Sequence, residues 1–188
     1  ANNISIDGGT KKDLSRRSND INGSSIGVIG AGKISREVIN IAKVFNMKIY
    51  CNTLNPEKHQ DLLEQGVEFL SLDTVLTISD ILTVNIPLNE ENENFISKDK
   101  IRLMKKSATF INTSRAEIVD IDELMKYADE NDTFNVGLDI DTENYKEILN
   151  KKRNNVIVTP HIAGVTEEAI KRMDIELANN IKKYLGGI

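Results

Sequence analysis

The stretch Ile26-Gly27-Val28-Ile29-Gly30-Ala31-Gly32-Lys33-Ile34-Ser35 decides how the rest of this chain is read. Ile26 to Ile29 make a short strand. Beyond the turn, Ile34, Val38, Ile41 and Phe45 recur at helical spacing and put one apolar stripe on one helix. A strand, a glycine turn and an amphipathic helix, in that order, open a βαβ unit. The turn itself reads G-x-G-x-x-S, a variant of the dinucleotide fingerprint. Gly30 permits the tight bend, and Gly32 lets backbone come close to a pyrophosphate. Ser35 stands at the third position, where a glycine normally lets helix and strand pack closely. Amides at the start of the helix, with the macrodipole behind them, suit that anion. The plainer alternative is a tight strand–helix turn with no ligand.

Outward from this unit the alternation continues. Lys48 to Cys51 reads as a second strand. Asn55 as cap, Pro56 at the first position and Gly66 at the end frame one helix. Val67 to Leu70 is a third strand, and Ser71 caps a short helix bearing Leu72, Val75 and Leu76. Ile81 to Ile86 is a fourth strand, apolar almost throughout, as a strand covered on both faces would be. Ser97 opens a helix with Ile101 and Met104, and Ala108 to Asn112 is a fifth strand. Asp120 with Glu123 starts a helix carrying Ile121, Leu124 and Met125. Asn135 to Ile140 and Val156 to Val158 complete the strands. Thr166 caps a last helix with Ile170, Met173, Leu177, Ile181 and Tyr184 on one face.

Strict alternation predicts an α/β fold: a doubly wound, Rossmann-like parallel sheet with helices on both sides. Ligands of such sheets bind beyond the carboxyl ends of the strands, where the winding reverses. Three segments are expected: a polar lead-in over 1–24 with one short helix, a dinucleotide-binding domain over 25–165, and a C-terminal helix over 166–188.

Bulk properties narrow the classes. A chain of 188 residues buries a core without a staple, and its one cysteine, Cys51, can form no internal disulfide. Its charge of 24 − 29 = −5, with no basic block, argues against a nucleic acid or an anionic membrane as partner. With no apolar run long enough to span a bilayer and no secretory signal, a cytoplasmic protein is expected.

The end of the second strand bears on the cofactor. A carboxylate there normally bonds the ribose 2′-hydroxyl and repels a 2′-phosphate. Here the strand ends Tyr50-Cys51-Asn52-Thr53, without an acid, so NAD and NADP both stay open. Lys58 and His59 nearby read as solvated helix surface.

The later strand ends are similar to the D-isomer-specific 2-hydroxyacid dehydrogenase family. Ser79 to Leu88 resembles its fourth strand and Pro-Leu turn. Leu103-Met104-Lys105-Lys106-Ser107-Ala108-Thr109-Phe110-Ile111-Asn112-Thr113-Ser114-Arg115 resembles its MK-x-x-A-x-x-INT-x-R segment. Gly137-Leu138-Asp139-Ile140 resembles its LDV strand, and Asn155 to Gly164 its NV-x-x-TPHIAG signature. The likeness covers roughly residues 24–188.

The resemblance implies hydride transfer between a nicotinamide cofactor, NAD or NADP, and a D-2-hydroxy acid or 2-keto acid. Arg115 would offer a planar fork to the substrate carboxylate and the C2 oxygen. His161 would take or supply the hydroxyl proton. A family glutamate orients that histidine. Counted from Leu138-Asp139 its position falls on Asn144, with Glu143 one residue earlier, and either could serve. Asp139 would hold the nicotinamide amide, shape its pocket, or act as a plain structural cap. Lys33 and Ile34 would lend amides to the pyrophosphate, and Thr53, Asn85, Pro87, Thr113, Ser114 and Gly164 would line the cleft.

Ser35, Thr53, Asn85, Asn89 and Ala116 depart from the family pattern and mark a divergent member. The family builds most of its substrate domain from an N-terminal half that has no counterpart before residue 24, so this chain alone is expected to turn over poorly while still holding cofactor. A homodimer is expected by analogy. A non-catalytic NAD(H)-binding regulatory module is the alternative function. A weaker third reading, an adenosylhomocysteine hydrolase-like protein, is disfavoured by Pro160-His161-Ile162-Ala163-Gly164.

Overall fold

A computed structural model describes residues 20–141, Lys146 and residues 150–186. Of the lead-in, residues 1–19 lie outside the described residues. The expected sheet is present. Seven strands, all parallel, lie in the order β3-β2-β1-β4-β5-β6-β7. They are β1 (Ser25–Ile29), β2 (Lys48–Asn52), β3 (Glu68–Phe69), β4 (Ile81–Val84), β5 (Thr109–Asn112), β6 (Asn135–Asp139) and β7 (Val156–Thr159). The winding reverses between β1 and β4.

The helices are α1 (Lys33–Val44), α2 (Gln60–Glu64), α3 (Leu72–Ile78), α4 (Lys98–Ile101), α5 (Ile121–Glu130) and α6 (Glu167–Tyr184). Strand β1 is buried along its whole length and feeds two cores. Ile26 and Val28 join Ile39, Ala42, Ile49, Cys51 and Leu62 beneath α1 and α2, while Ile29 joins Val75, Leu82, Phe110, Leu124 and Leu138 beneath α3 to α5. Gly27 marks how tightly α3 is seated. A Cβ there would lie 2.6 Å from Val75 Cγ1 and 2.8 Å from Leu82 Cδ2.

Three helix starts read from sequence are capped as expected. Ser71 accepts from the Thr74 amide at 3.3 Å, Asp120 from Glu123 at 3.0 Å and Thr166 from Ala169 at 3.0 Å. Two readings are corrected. The single helix expected between Asn55 and Gly66 is a 3-10 turn (Pro56–Lys58) followed by α2, broken at His59 with φ −124° and ψ 41°. Of the apolar stripe read on α1, Ile34, Ile41 and Phe45 face outward, and Val38 alone packs partly against the core. Ile34 and Ile41 are 65% and 60% exposed, and the residues packed on the sheet are Ser35, Ile39 and Ala42. The apolar face of α6 is exposed as well. Among the described residues no helix is long and apolar enough to cross a membrane.

At the amino edge of the sheet, Asp80 ties β1 to β4. Its carboxylate accepts the Ser25 amide at 2.9 Å, the Ser25 hydroxyl at 2.6 Å and the Lys105 ammonium at 2.7 Å. Burial pushes its carboxyl up, but the Lys105 and Ser25 bonds outweigh burial and bring it down to about 2. The folded value lies below the ordinary unfolded one, so this clip stabilises the fold above about pH 4 and is lost as pH falls through about 2. The side chain is partly exposed, so solvent screening reduces the effect to about 1 kcal/mol. Asp80→Ala should therefore lower stability by about 1 kcal/mol at pH 7, and the gap to wild type should close toward pH 2 in denaturant melts.

Candidate active site

Because the strands are parallel, their carboxyl ends share one edge of the sheet. Every candidate residue among the described ones lies on that edge. Glu143 and Asn144 lie outside the described residues.

At the reversal of winding, Gly30 has φ +102° and donates its amide to Asn52 O at 2.8 Å, while the Asn85 amide donates to Ile29 O at 2.9 Å. Gly32 begins α1 with no side-chain cap and no acid in the first turn. A Cβ added there would meet nothing within 4 Å. The start of α1, including the Lys33 and Ile34 backbone, thus faces open space with its dipole uncompensated, as an anion-binding turn requires. Ser35 is fully buried and its hydroxyl has no partner among the described residues. Asn85 is half-buried, and its shielded Nδ2 likewise lacks a partner. A buried donor without an acceptor near the uncapped start of α1 suits a polar ligand. Pro87 begins an exposed turn closed by Asn92 Nδ2 donating to Pro87 O at 2.7 Å.

At the end of β2, the Asn52 side chain donates from Nδ2 to Leu70 O at 3.0 Å, and Thr53, the next residue, is half-buried. The reading of His59 as solvated surface is corrected. It stacks on Phe69 with ring centroids 6.2 Å apart, and its Nδ1 lies 3.2 Å from Arg36 Nη2, while Arg36 pairs with Asp61. Lys58 is exposed.

Two loops at the far side carry the reactive side chains. After β5, Thr113 is exposed, Ser114 half-buried and Arg115 exposed. The Arg115 guanidinium donates to Ser114 O at 2.8 Å, and no carboxylate among the described residues pairs with it. The loop hangs on Asn112, which is 0% exposed. Its Nδ2 donates to Arg115 O at 2.8 Å, and its Oδ1 accepts the Ser114 amide at 2.9 Å and hydroxyl at 2.7 Å. Sequence reasoning quoted Asn112 only as part of a motif. Its side-chain bonds exist only once the turn has formed, so no spacing rule would have found them.

After β7, His161 is exposed and sits in the left-handed region at φ +54°, an uncommon place for a residue with a Cβ. Gly164, three residues on, is also exposed. Asp139, 4% exposed, holds this segment from the neighbouring strand end. It accepts the Thr159 hydroxyl at 2.5 Å, the Ile162 amide at 2.8 Å and the Ala163 amide at 2.8 Å. Burial pushes the Asp139 carboxyl up, but the Thr159, Ala163 and Ile162 bonds and the nearby His161 hold it below its ordinary value. β5 and β7 are two strands apart, about 10 Å at the ordinary strand spacing, so the loops that carry the Arg115 guanidinium and the His161 imidazole leave the same edge of the sheet. The guanidinium can grip a carboxylate bidentately, and the imidazole offers ring nitrogens that can donate or accept a hydrogen bond.

Comparison with known proteins agrees with this fold. The D-isomer specific 2-hydroxyacid dehydrogenase, NAD binding domain, family matches residues 3–163. The chain is 34% identical over 171 residues to a glyoxylate reductase of Thermococcus litoralis, covering 89% of this chain and 50% of that protein. It is 32% identical over 187 residues to a hydroxypyruvate reductase of Thermotoga maritima, covering 97% and 60%. Among solved structures it resembles a D-lactate dehydrogenase from Aquifex aeolicus complexed with NAD and lactic acid (TM-score 0.81, 30% identity, 95% of this chain and 58% of that one). It also resembles an acyclic imino acid reductase in complex with NADPH and D-Arg (TM-score 0.84, 30% identity, 95% and 56%). The chain spans about half the length of the curated relatives it matches.

Asp139→Asn replaces one acceptor oxygen by a donor facing an amide or a hydroxyl. Losing one such bond is worth about 1 kcal/mol or somewhat more. Hydrogen-exchange protection at Ile162 and Ala163 should fall by about tenfold, with the β4 and β5 amides unchanged.

Proposed function

The chain belongs to the D-isomer specific 2-hydroxyacid dehydrogenase family, as its NAD binding domain, and from this we propose that it serves an NAD(P)-dependent oxidoreductase interconverting a D-2-hydroxy acid and its 2-keto acid. The observation that supports this most is the single sheet edge shared by the Gly30–Gly32 turn, Arg115 and His161.

Bound nicotinamide supplies the hydride acceptor in one direction and the donor in the other. The uncapped start of α1, with the Lys33 and Ile34 amides, holds the pyrophosphate. Thr53, Asn85, Pro87, Thr113, Ser114 and Gly164 would line the cleft, and the orphaned Asn85 Nδ2 would be free to donate to a bound cofactor. Arg115 binds the substrate carboxylate and polarises the C2 oxygen. His161 removes the hydroxyl proton or returns it. Glu143 or Asn144 orients the imidazole, the former also raising its basicity. Asp139 shapes the pocket through the loop that carries His161.

No carboxylate ends β2, so both NAD and NADP are accepted. Solved neighbours carry NAD in one case and NADPH in another. Residues 25–165 form the cofactor domain, and α6 belongs to the substrate-binding part of the whole protein, which explains why its apolar face is bare here. A homodimer formed through the cofactor domain and a cytoplasmic location complete the proposal. The relatives are named as reductases and dehydrogenases, which does not favour a non-catalytic sensor.

Calorimetric titration of the folded chain with NADH and with NADPH should give heat with both. Silence with both would remove the cofactor reading. In the protein at its full natural length, His161→Ala should reduce 2-keto acid turnover by about 10²–10⁴-fold and leave cofactor affinity unchanged. A sensor would show no turnover to lose.

A further inference from the structure

We propose that Asn112 is a positioning residue for Arg115, and that it sets the affinity for the substrate carboxylate rather than for the cofactor. The proposal rests on the dehydrogenase reading above.

The case begins with what holds the arginine in place. Its side chain is exposed and donates only to the carbonyl of its own neighbour, Ser114, so among the described residues no other element braces the guanidinium. Direction must come from the backbone. Downstream, the 3-10 turn Ala116–Ile118 is anchored by burial of Ala116 and Ile118. Upstream, the anchor is Asn112, the last residue of β5, fully buried. Between these anchors lie Thr113, Ser114 and Arg115, and the three bonds that the Asn112 side chain makes among the described residues all go to the last two of them.

The bond to Arg115 O matters most. It fixes the peptide that leaves Arg115, and with φ −136° and ψ 143° it sets the direction of the Cα–Cβ bond. A bidentate grip on a carboxylate is sensitive to such placement, and displacements of about 1 Å in a positioning group cost rates of order 10²-fold. The cofactor turn at Gly30–Gly32 lies two strands away and shares no bond with Asn112.

Asn112→Asp tests this best, because it keeps the shape and both acceptor functions toward Ser114 while removing the donor to Arg115 O. In the protein at its full natural length, the KM for the 2-keto acid should rise about tenfold or more, with NADH affinity within about twofold of wild type. The defect relative to wild type should shrink as pH falls, since a protonated carboxyl can again donate to the Arg115 carbonyl, and taking the ratio to wild type at each pH removes any pH dependence that the two proteins share. Asn112→Ala should show the same KM defect without the pH recovery. A KM within twofold of wild type in both variants overturns the proposal. So does an equal loss of NADH affinity, or failure of both variants to fold, either of which assigns Asn112 to general stability. A wild-type protein that binds NADH but turns over no 2-keto acid overturns the dehydrogenase reading, and this role with it.

Discussion

Where β1 turns into α1, the chain passes so close to the end of β4 that a Cβ on Gly30 would lie 2.9 Å from Asn85 O and 2.8 Å from Ile86 Cγ2. Only glycine fits there, and only glycine readily takes φ +102°. The contact is flanked by backbone bonds in both directions, from Gly30 to β2 and from Asn85 to β1. Three strand ends are thereby held together where the winding reverses. Two residues beyond that approach, a Cβ on Gly32 would meet nothing within 4 Å, so the start of α1 is open at the same point. Asp80 performs the matching task at the opposite edge, tying the starts of the same two strands.

The cores of β4, β5 and α5 were legible because their apolar residues have nowhere else to go. Leu82, Val84, Phe110, Leu124 and Met125 are all buried. Helices α1 and α6 were not legible in the same way. In α1 two sets share helical spacing: Ile34, Ile41 and Phe45, and Ser35, Ile39 and Ala42. The larger residues invite assignment to the core, yet the smaller set packs on the sheet, because a helix entering from a glycine turn must approach β1 closely. Hydrophobic periodicity identifies a face that avoids water, not the surface that covers it. The break at His59 was hidden for another reason: it accompanies stacking on Phe69 and proximity to Arg36, both long-range contacts.

At the candidate site, sequence alone gave the edge and the order of the side chains, since parallel strands bring every strand end to one rim. Of the support beneath them, it singled out Asp139, with a structural cap among its alternatives, but missed Asn112 and the partners of both. Asn112 and Asp139 are both buried at strand ends, and both were visible as letters in a motif. Their partners, however, are loop amides and carbonyls whose directions depend on the turns that follow.

Those partners explain why one support is an amide and the other a carboxylate. The loop after β5 presents two donors, the Ser114 amide and hydroxyl, and one acceptor, the Arg115 carbonyl. A buried side chain serving both kinds needs a donor and an acceptor, which asparagine has and aspartate lacks when ionised. The segment after β7 presents only donors to Asp139: the Thr159 hydroxyl and the amides of Ile162 and Ala163. An ionised carboxylate meets that set fully, and an amide would leave one group facing another donor. The strand register places the two supports side by side, with Asn112 opposite Leu138 and Asp139 opposite Thr159. Exchanging the two residue types would leave each loop with the wrong complement, so the hydrogen-bonding character of each loop, rather than its length or hydrophobicity, dictates which residue can end the strand beneath it.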